Sequence, residues 1–369
     1  MTSHTIQVHL TNRCNMKCPY CYIHQNTADM TLDDFKAQFA YIHTLSKLID
    51  PSFGIEGWNI AYFGGEPLMN IDAIRDINDF LRTTDVKINF QHIQTNALLM
   101  TRELVDELGQ RGIGWSYSYD GVWDSAESIE VHERLLKEGL INRYAKIMIA
   151  PEHVGRIVEN YQYFVDHGWT NPDLSFVRDI DWTDEAAQVC AQQVTSLVDL
   201  MIDQTLADVG QGDRCFCAGF IQLALMDMVV NKRIGKRDYT CHAGRNGYAF
   251  TPARVVYPCS RFYHNELYPL LDANTGEVFT GNIEHLSTAL NTHNMPDCSD
   301  CAIEPYCNTG CAYTQLCCGD YKCMRPVKAY CTVLRHVYSE TLRYFNALKH
   351  TAGLKELLND KLGGFFNYG

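Results

Sequence analysis

The sequence is poor in positive charge. Its 369 residues carry 31 Lys and Arg against 44 Asp and Glu, a formal charge of −13. No run of Lys or Arg offsets that balance, which argues against general binding to nucleic acid or to an anionic membrane surface. Long apolar runs are missing too. The longest apolar-rich stretch, Phe220 to Val230, is too short to span a bilayer and contains Gln222 and Asp227. The opening residues, MTSHTIQVHLTNRC, lack the basic-then-apolar pattern of a secretory signal, so a cytoplasmic protein with reduced thiols is expected. Cysteine itself is absent between Cys21 and Cys190.

Elsewhere cysteine is abundant. There are 16, three of them between Cys14 and Cys21 and ten between Cys241 and Cys331. In a reducing compartment such clusters read as metal ligands before disulfides. Hydrophobic residues make up 46%, enough for a real core, and the length suits roughly two domains or one large α/β unit with an appendage.

The cysteine-free stretch has a regular rhythm. Strand-like runs fall at Ile6–Leu10, Trp58–Phe63, Ile88–Gln94, Gly114–Ser118, Ala145–Ala150 and Leu174–Arg178. Helical patterns lie between and after them, near Leu32–Ile49, Ile71–Leu81, Arg102–Arg111, Ser128–Glu138, Val154–His167 and Asp184–Leu206. Thr31, Thr101 and Thr183 stand where N-caps belong. Six βα units argue for right-handed parallel packing, and six are too few for a closed eight-stranded barrel. A partial (β/α)6 TIM-like barrel over residues 1–206 is therefore expected, then a bridging region at 207–240. The segment 241–335 has sparse secondary structure and dense cysteine, so metal sites are expected to hold it together. A helix and an aromatic tail close the chain at 336–369.

Immediately after the first strand comes Thr11-Asn12-Arg13-Cys14-Asn15-Met16-Lys17-Cys18-Pro19-Tyr20-Cys21. Three thiolates on one tight loop suit three irons of a [4Fe–4S] cube, leaving the fourth iron open to another ligand. A zinc site would want four ligands, for which His24 is the nearest supplement. After the second strand follows Tyr62-Phe63-Gly64-Gly65-Glu66-Pro67. Its glycines permit a close backbone approach to a ligand, and Glu66 offers a carboxylate to an ammonium group.

The CxxxCxxC triplet with an aromatic before its third cysteine resembles the signature of radical S-adenosylmethionine (SAM) enzymes. Gly64-Gly65-Glu66-Pro67 resembles that family's GGEP motif. Gln94-Thr95-Asn96 resembles its QTN, although Ala97 stands where Gly often follows, and Ser118, Asp120 and Gly121 resemble its SxDG. The resemblance implies that Cys14, Cys18 and Cys21 hold a [4Fe–4S] cluster. It further implies that Tyr20, Gly64, Gly65, Glu66, Gln94, Asn96, Ser118 and Asp120 contact SAM. Such enzymes cleave SAM reductively to a 5′-deoxyadenosyl radical that abstracts hydrogen from substrate.

Downstream, Cys241-His242-Ala243-Gly244, Val256-Tyr257-Pro258-Cys259, Gly281-Asn282-Ile283 and the run Cys298, Cys301, Cys307, Cys311 and Cys331 resemble a SPASM domain, a module that carries auxiliary clusters. A zinc ribbon on Cys298/Cys301 and Cys307/Cys311 is the alternative. By the resemblance, Cys298, Cys301, Cys307 and Cys331 hold a distal auxiliary [4Fe–4S] cluster. Cys241, Cys259 and Cys311 hold a proximal one, with the fourth ligand open. Cys215, Cys217, Cys317, Cys318 and Cys323 are further candidates for ligation, and Cys190 reads as a small buried apolar residue. Two departures stand out. Arg254 replaces a usual Gly, and Ser260 replaces the Asp that serves as base in sulfatase-maturating relatives.

The resemblance implies three clusters, SAM, and a flavodoxin- or ferredoxin-type electron donor. It favours a ribosomally made peptide or protein side chain as substrate, with a small biosynthetic metabolite as the alternative. With Cys14 so near the start, a separate peptide-recognition protein or direct binding in the barrel mouth is expected. Arg178, Asp179, Asp181, His9 and Tyr62 are the polar candidates for catalysis. A non-catalytic multi-cluster electron carrier or a zinc-rich scaffold would explain the cysteines, but neither explains Gly64-Gly65-Glu66.

Overall fold

The computed structural model describes residues 4–49, 57–141, 145–169, 171–178, 180–234, 241, 243–290, 295–307, 310–319, 324, 325 and 327–358. It is a mixed α/β chain with a seven-stranded parallel sheet, the partial TIM-like arrangement expected. The chain packs as two compact units, each made from two segments: Met1–Ser118 with Cys241–Leu290, and Tyr119–Thr240 with Asn291–Gly369.

The first unit holds β1 (His4–Thr11), β2 (Trp58–Gly64), β3 (Ile88–Thr95), β4 (Ile113–Ser118) and β7 (Gly247–Phe250), in the order β4-β3-β2-β1-β7. Ile6, Val8 and Leu10 of β1 are fully buried, and from Val8 to Thr11 the strand is buried without interruption. A parallel strand covered on both faces has that continuous burial. The surrounding helices are α1 (Leu32–Phe39), α2 (Ile42–Ile49), α3 (Ile71–Leu81), α4 (Arg102–Arg111), α9 (Ser260–His264) and α10 (Thr280–Ala289), with a short antiparallel sheet of β8 (Val255–Val256), β9 (Leu271–Asp272) and β10 (Glu277–Val278). Thr31 and Asp34 form a full capping box, and Thr101 accepts from the Leu104 N–H. Each such cap stabilises its helix by about 1 kcal/mol.

The second unit holds β5 (Ala145–Ile149) and β6 (Asp173–Phe176), paired in parallel, with α5 (Ala126–Lys137), α6 (Ile157–Asp166), α7 (Asp184–Ala207), α8 (Gly219–Ile234), α11 (Ala312–Cys318) and α12 (Lys328–Leu348). Cys190, Val194, Leu197, Val198 and Met201 form one buried stripe of α7, and Val333, Val337, Tyr344 and Leu348 one of α12. These spacings follow the helical period, and the two stripes pack together.

Three expectations are corrected. The main sheet has a seventh strand, because Gly247–Phe250 pairs in parallel with Thr5–Val8. Four residues beginning with Gly carry too little pattern to announce a strand. The single helix expected over Leu32–Ile49 is two, α1 and α2. The boundary drawn at 335 falls inside α12, whose apolar stripe continues past it, and the one at 206 falls a residue before the end of α7.

Candidate functional site

The cysteine loop after β1 is held from outside. The Gly65 N–H donates to the Thr11 carbonyl at 2.7 Å and the Glu66 N–H to the Arg13 carbonyl at 2.8 Å. Both glycines are required by this docking, since a Cβ on Gly64 would collide with the Thr11 carbonyl oxygen and one on Gly65 with that of Arg13. Gly64 also has φ 135°, a region open to glycine alone. The close approach expected toward a ligand is thus, first, an approach to the cysteine loop itself.

Glu66 is buried and its carboxylate organises the strand ends. One oxygen accepts from the Leu68 N–H at 3.0 Å and the Thr95 hydroxyl at 2.7 Å, the other from the Asn96 N–H at 2.8 Å. Burial pushes its pKa up, against the pull of those donors. The Asn96 amide in turn donates to Asn15 at 2.7 Å, tying the end of β3 to the cysteine loop. Ala97, where Gly was expected from the motif, keeps φ 60° and is fully buried.

Across β3 and β4 runs a polar ladder. His92 meets the Ser116 hydroxyl at 2.8 Å, Ser116 donates to Gln94 at 2.7 Å, and the Gln94 amide donates to Ser118 at 3.1 Å. Asp120, in the second unit, accepts the Met148 N–H at 2.7 Å and is buried. Tyr20, half-buried, lies on the loop. The Cys14 thiol is pushed up by burial, with smaller pushes from Glu66 and Cys21.

Beside β1 the first unit holds a cluster that the motifs did not announce. His9 is fully buried and neither ring nitrogen has a hydrogen-bond partner. Its ring lies 5.1 Å from that of His264 and 5.0 Å from that of Tyr263. His24 lies 6.1 Å from His264. Burial holds His9 well below the usual histidine range, with His264 adding to it, and lowers His264 to about 4. The Tyr22 and Ser260 hydroxyls meet at 2.8 Å, so Ser260 is tied to the cysteine loop. The available signal was the i, i+4 spacing of Ser260 and His264 on α9. Tyr62, by contrast, is buried and donates to Gln91 at 2.6 Å.

Arg254 has φ 61°, so it keeps the left-handed turn that a Gly would take, and its guanidinium pairs with Asp34 at 2.7 Å.

In the second unit Cys298, Cys301, Cys307 and Cys331 line one hollow, with Gln315 and Arg335 beside them. Burial pushes the Cys331 thiol up to about 11, helped by Cys298. Among the described residues no three His, Cys, Asp or Glu converge closely enough to hold a single ion. A second space, a cavity of about 200 Å³, is lined by Arg178, Asp227, Tyr330, Tyr338 and, as a shared wall, Cys307. The Tyr338 hydroxyl donates to Asp227 at 3.0 Å. Asp181 is exposed, and Asp179 and Cys323 lie outside the described residues. Cys317 and Cys318 sit on α11. Cys215 and Cys217 are buried, and the Cys215 thiol meets the Tyr344 hydroxyl at 3.0 Å. Cys190 is fully buried, and burial pushes its thiol to about 12. Of the proximal set, Cys241 and Cys259 belong to the first unit and Cys311 to the second.

Residues 8–176 match the model of the Radical SAM superfamily. The chain carries a radical SAM domain. For that domain the family implies a [4Fe–4S] cluster and SAM. Among curated proteins, an uncharacterised protein of Methanocaldococcus jannaschii is 33% identical over 31% of this chain and 37% of its own. The radical SAM cyclopropyl synthase TigE of Paramaledivibacter caminithermalis is 21% identical over 69% of this chain and 57% of its own. The chain thus spans less than two thirds of either relative. Among solved structures, anSMEcpe with bound AdoMet has a TM-score of 0.69 at 14% identity, covering 97% of this chain and 98% of that one. SuiB of Streptococcus suis, bound to its precursor peptide SuiA, has a TM-score of 0.53 at 16% identity, covering 86% and 73%. These likenesses are of fold. Among the described residues no helix is long and apolar enough to cross a membrane.

Proposed function

We propose that this radical SAM domain oxidises a ribosomally made peptide or a protein side chain, with two auxiliary [4Fe–4S] clusters serving the electron flow. The observation that carries the radical reading is the docking of the Cys14–Cys21 loop on Gly64, Gly65 and Glu66, which holds the backbone that bears the three thiols. Cys14, Cys18 and Cys21 fit the radical-generating cluster, and Cys298, Cys301, Cys307 and Cys331, lining one hollow, fit a cubane larger than a single ion. When bound, that first cluster supplies the electron that cleaves SAM to the 5′-deoxyadenosyl radical.

The chain's own residues then bind, orient and accept protons. Glu66 keeps unused acceptor capacity on the oxygen facing Asn96, which suits an ammonium group. The ladder from His92 to Ser118 offers hydroxyl and amide groups to a ribose or carboxylate. With Ser260 where an Asp would act as base, His264, one turn on along α9 and neutral above about pH 4, is the group we assign to take the substrate proton. Support for a peptide substrate comes from the fold neighbours, whose structures include anSMEcpe with the Cp18Cys peptide and SuiB with SuiA. The cavity lined by Arg178 and Asp227 favours a second reading, a small metabolite with groups of both charges.

Anaerobic reconstitution tests the proposal. Roughly twelve irons with matching sulfide are expected, four per cubane. Reductive formation of 5′-deoxyadenosine is expected, and Cys18→Ala should abolish it. Iron without SAM cleavage would leave an electron carrier; zinc in place of iron would sink the proposal.

A further inference from the structure

We infer that the face of α12 over the four-cysteine hollow is the docking site of a small acidic protein that carries single electrons. The chain is strongly acidic, and most of its described arginines are neutralised within it. Arg13 pairs with Asp29, Arg75 with Asp72 and Glu107, Arg111 with Asp79, Arg156 with Glu159, Arg214 with Asp208, and Arg343 with Asp199. Arg325 and Arg335 are outside those pairs, and Lys328, like every other described lysine, is outside them too. All three are exposed, and none makes an ion pair among the described residues.

Their positions are not scattered. Lys328 and Arg335 lie two turns apart on one face of α12, with Cys331 between them. Arg335 lines the hollow together with the four cysteines. Arg325 stands beside it, its N–H donating to the carbonyl of Gln315, which lines the same hollow. Acids are present as well: Glu304 lines the hollow, and Asp297 and Asp300 are exposed on the segment that carries Cys298 and Cys301. Cations at the opening thus come from α12 and from Arg325 just before it, and acids from the segment that carries Cys298 and Cys301. A partner with an acidic patch is both attracted and given one orientation.

That arrangement suits a redox encounter. Electron-transfer complexes are small and brief, and charge complementarity speeds the encounter more than it tightens the complex. In the step, one electron leaves the reduced carrier and reduces the cluster by one unit, with no bond made and no proton moved. The inference rests on the reading that Cys298, Cys301, Cys307 and Cys331 hold a cluster.

The test uses the full chain with Cys14, Cys18 and Cys21 replaced by Ala, so that auxiliary iron alone remains. Photoreduced flavodoxin, an acidic one-electron carrier, is mixed with it in stopped flow, and cluster bleaching is followed. The second-order rate should fall at least tenfold when Arg325→Glu, Lys328→Glu and Arg335→Glu are combined. A similar fall is expected when ionic strength rises from about 0.05 M to about 1 M, where screening shortens to about 3 Å. Reduction by photoreduced 5-deazaflavin, small and uncharged at its reactive ring, should be unchanged. Arg325→Lys with Arg335→Lys should keep the fast rate, which separates charge from any role in folding. Equal flavodoxin rates in parent and reversed variant, or an equal loss with deazaflavin, would overturn the inference. Absence of iron after reconstitution would instead overturn the cluster reading, and the docking site with it.

Discussion

At the amino-terminal site the cysteines lie on one short loop and the fold fixes that loop from outside; in the second unit they come from a turn-rich segment and from α12, and the fold must bring them together. The first site depends on backbone fit, through the Thr11 and Arg13 carbonyls, Gly64, Gly65 and the donors to Glu66. The second depends on where α12 lies, and α12 is positioned by its apolar stripe against α7. One is a matter of ångström-scale clearance, the other of helix packing. The first tolerates almost no added atom, whereas a cysteine of the second can be replaced without touching the Cys14–Cys21 loop.

The largest effect should follow from closing that clearance. Gly65→Ala puts a methyl group against the Arg13 carbonyl and should cost about 3 kcal/mol of stability. It should also abolish 5′-deoxyadenosine formation, read by chromatography beside a thermal melt. Cys331→Ala should remove roughly four irons while SAM cleavage persists. If cleavage vanished as well, the two sites would not be separable. Next in size is acid sensitivity. Because His264 is lowered to about 4 from 6.5, its contribution is present above pH 6.5 and lost as pH falls from 6.5 toward 4. His264→Gln should therefore make the melting temperature less steep over that window, His9 retaining its own share, and an unchanged slope would refute the assignment. The smallest effect belongs to the left-handed turn at Arg254. Arg254→Gly should lie within about 0.5 kcal/mol of the parent, strain relief offsetting the lost ion pair, whereas Arg254→Ala should cost about 1 kcal/mol.

Much of the barrel was legible because its strands carry continuous apolar runs and its helices carry Thr caps. β4 ends where the pattern predicts and β2 one residue beyond it, and α3 and α4 match residue for residue. The cysteine motifs could be read as candidate ligands because thiol spacing survives without any knowledge of packing. What was not legible lies in tertiary context. β7 is too short to show a period, and it forms because β1 offers an unpaired edge. The cluster of His9, His24 and His264 joins residues from β1, the cysteine loop and α9, which only the fold brings together. Ala97 and Arg254 looked like departures, yet both keep the backbone that glycine would supply, so the motif there is one of conformation rather than of residue identity.

Cys307 has one further consequence. It lines both the four-cysteine hollow and the cavity of about 200 Å³, as does Leu334, so these two residues are the partition between the hollow and a space for a guest. Whatever enters the cavity presses on that partition. The guest's arrival is thereby written into the magnetic environment of the neighbouring sulfur, and xenon, inert and apolar, would be the plainest gauge of how stiff the partition is.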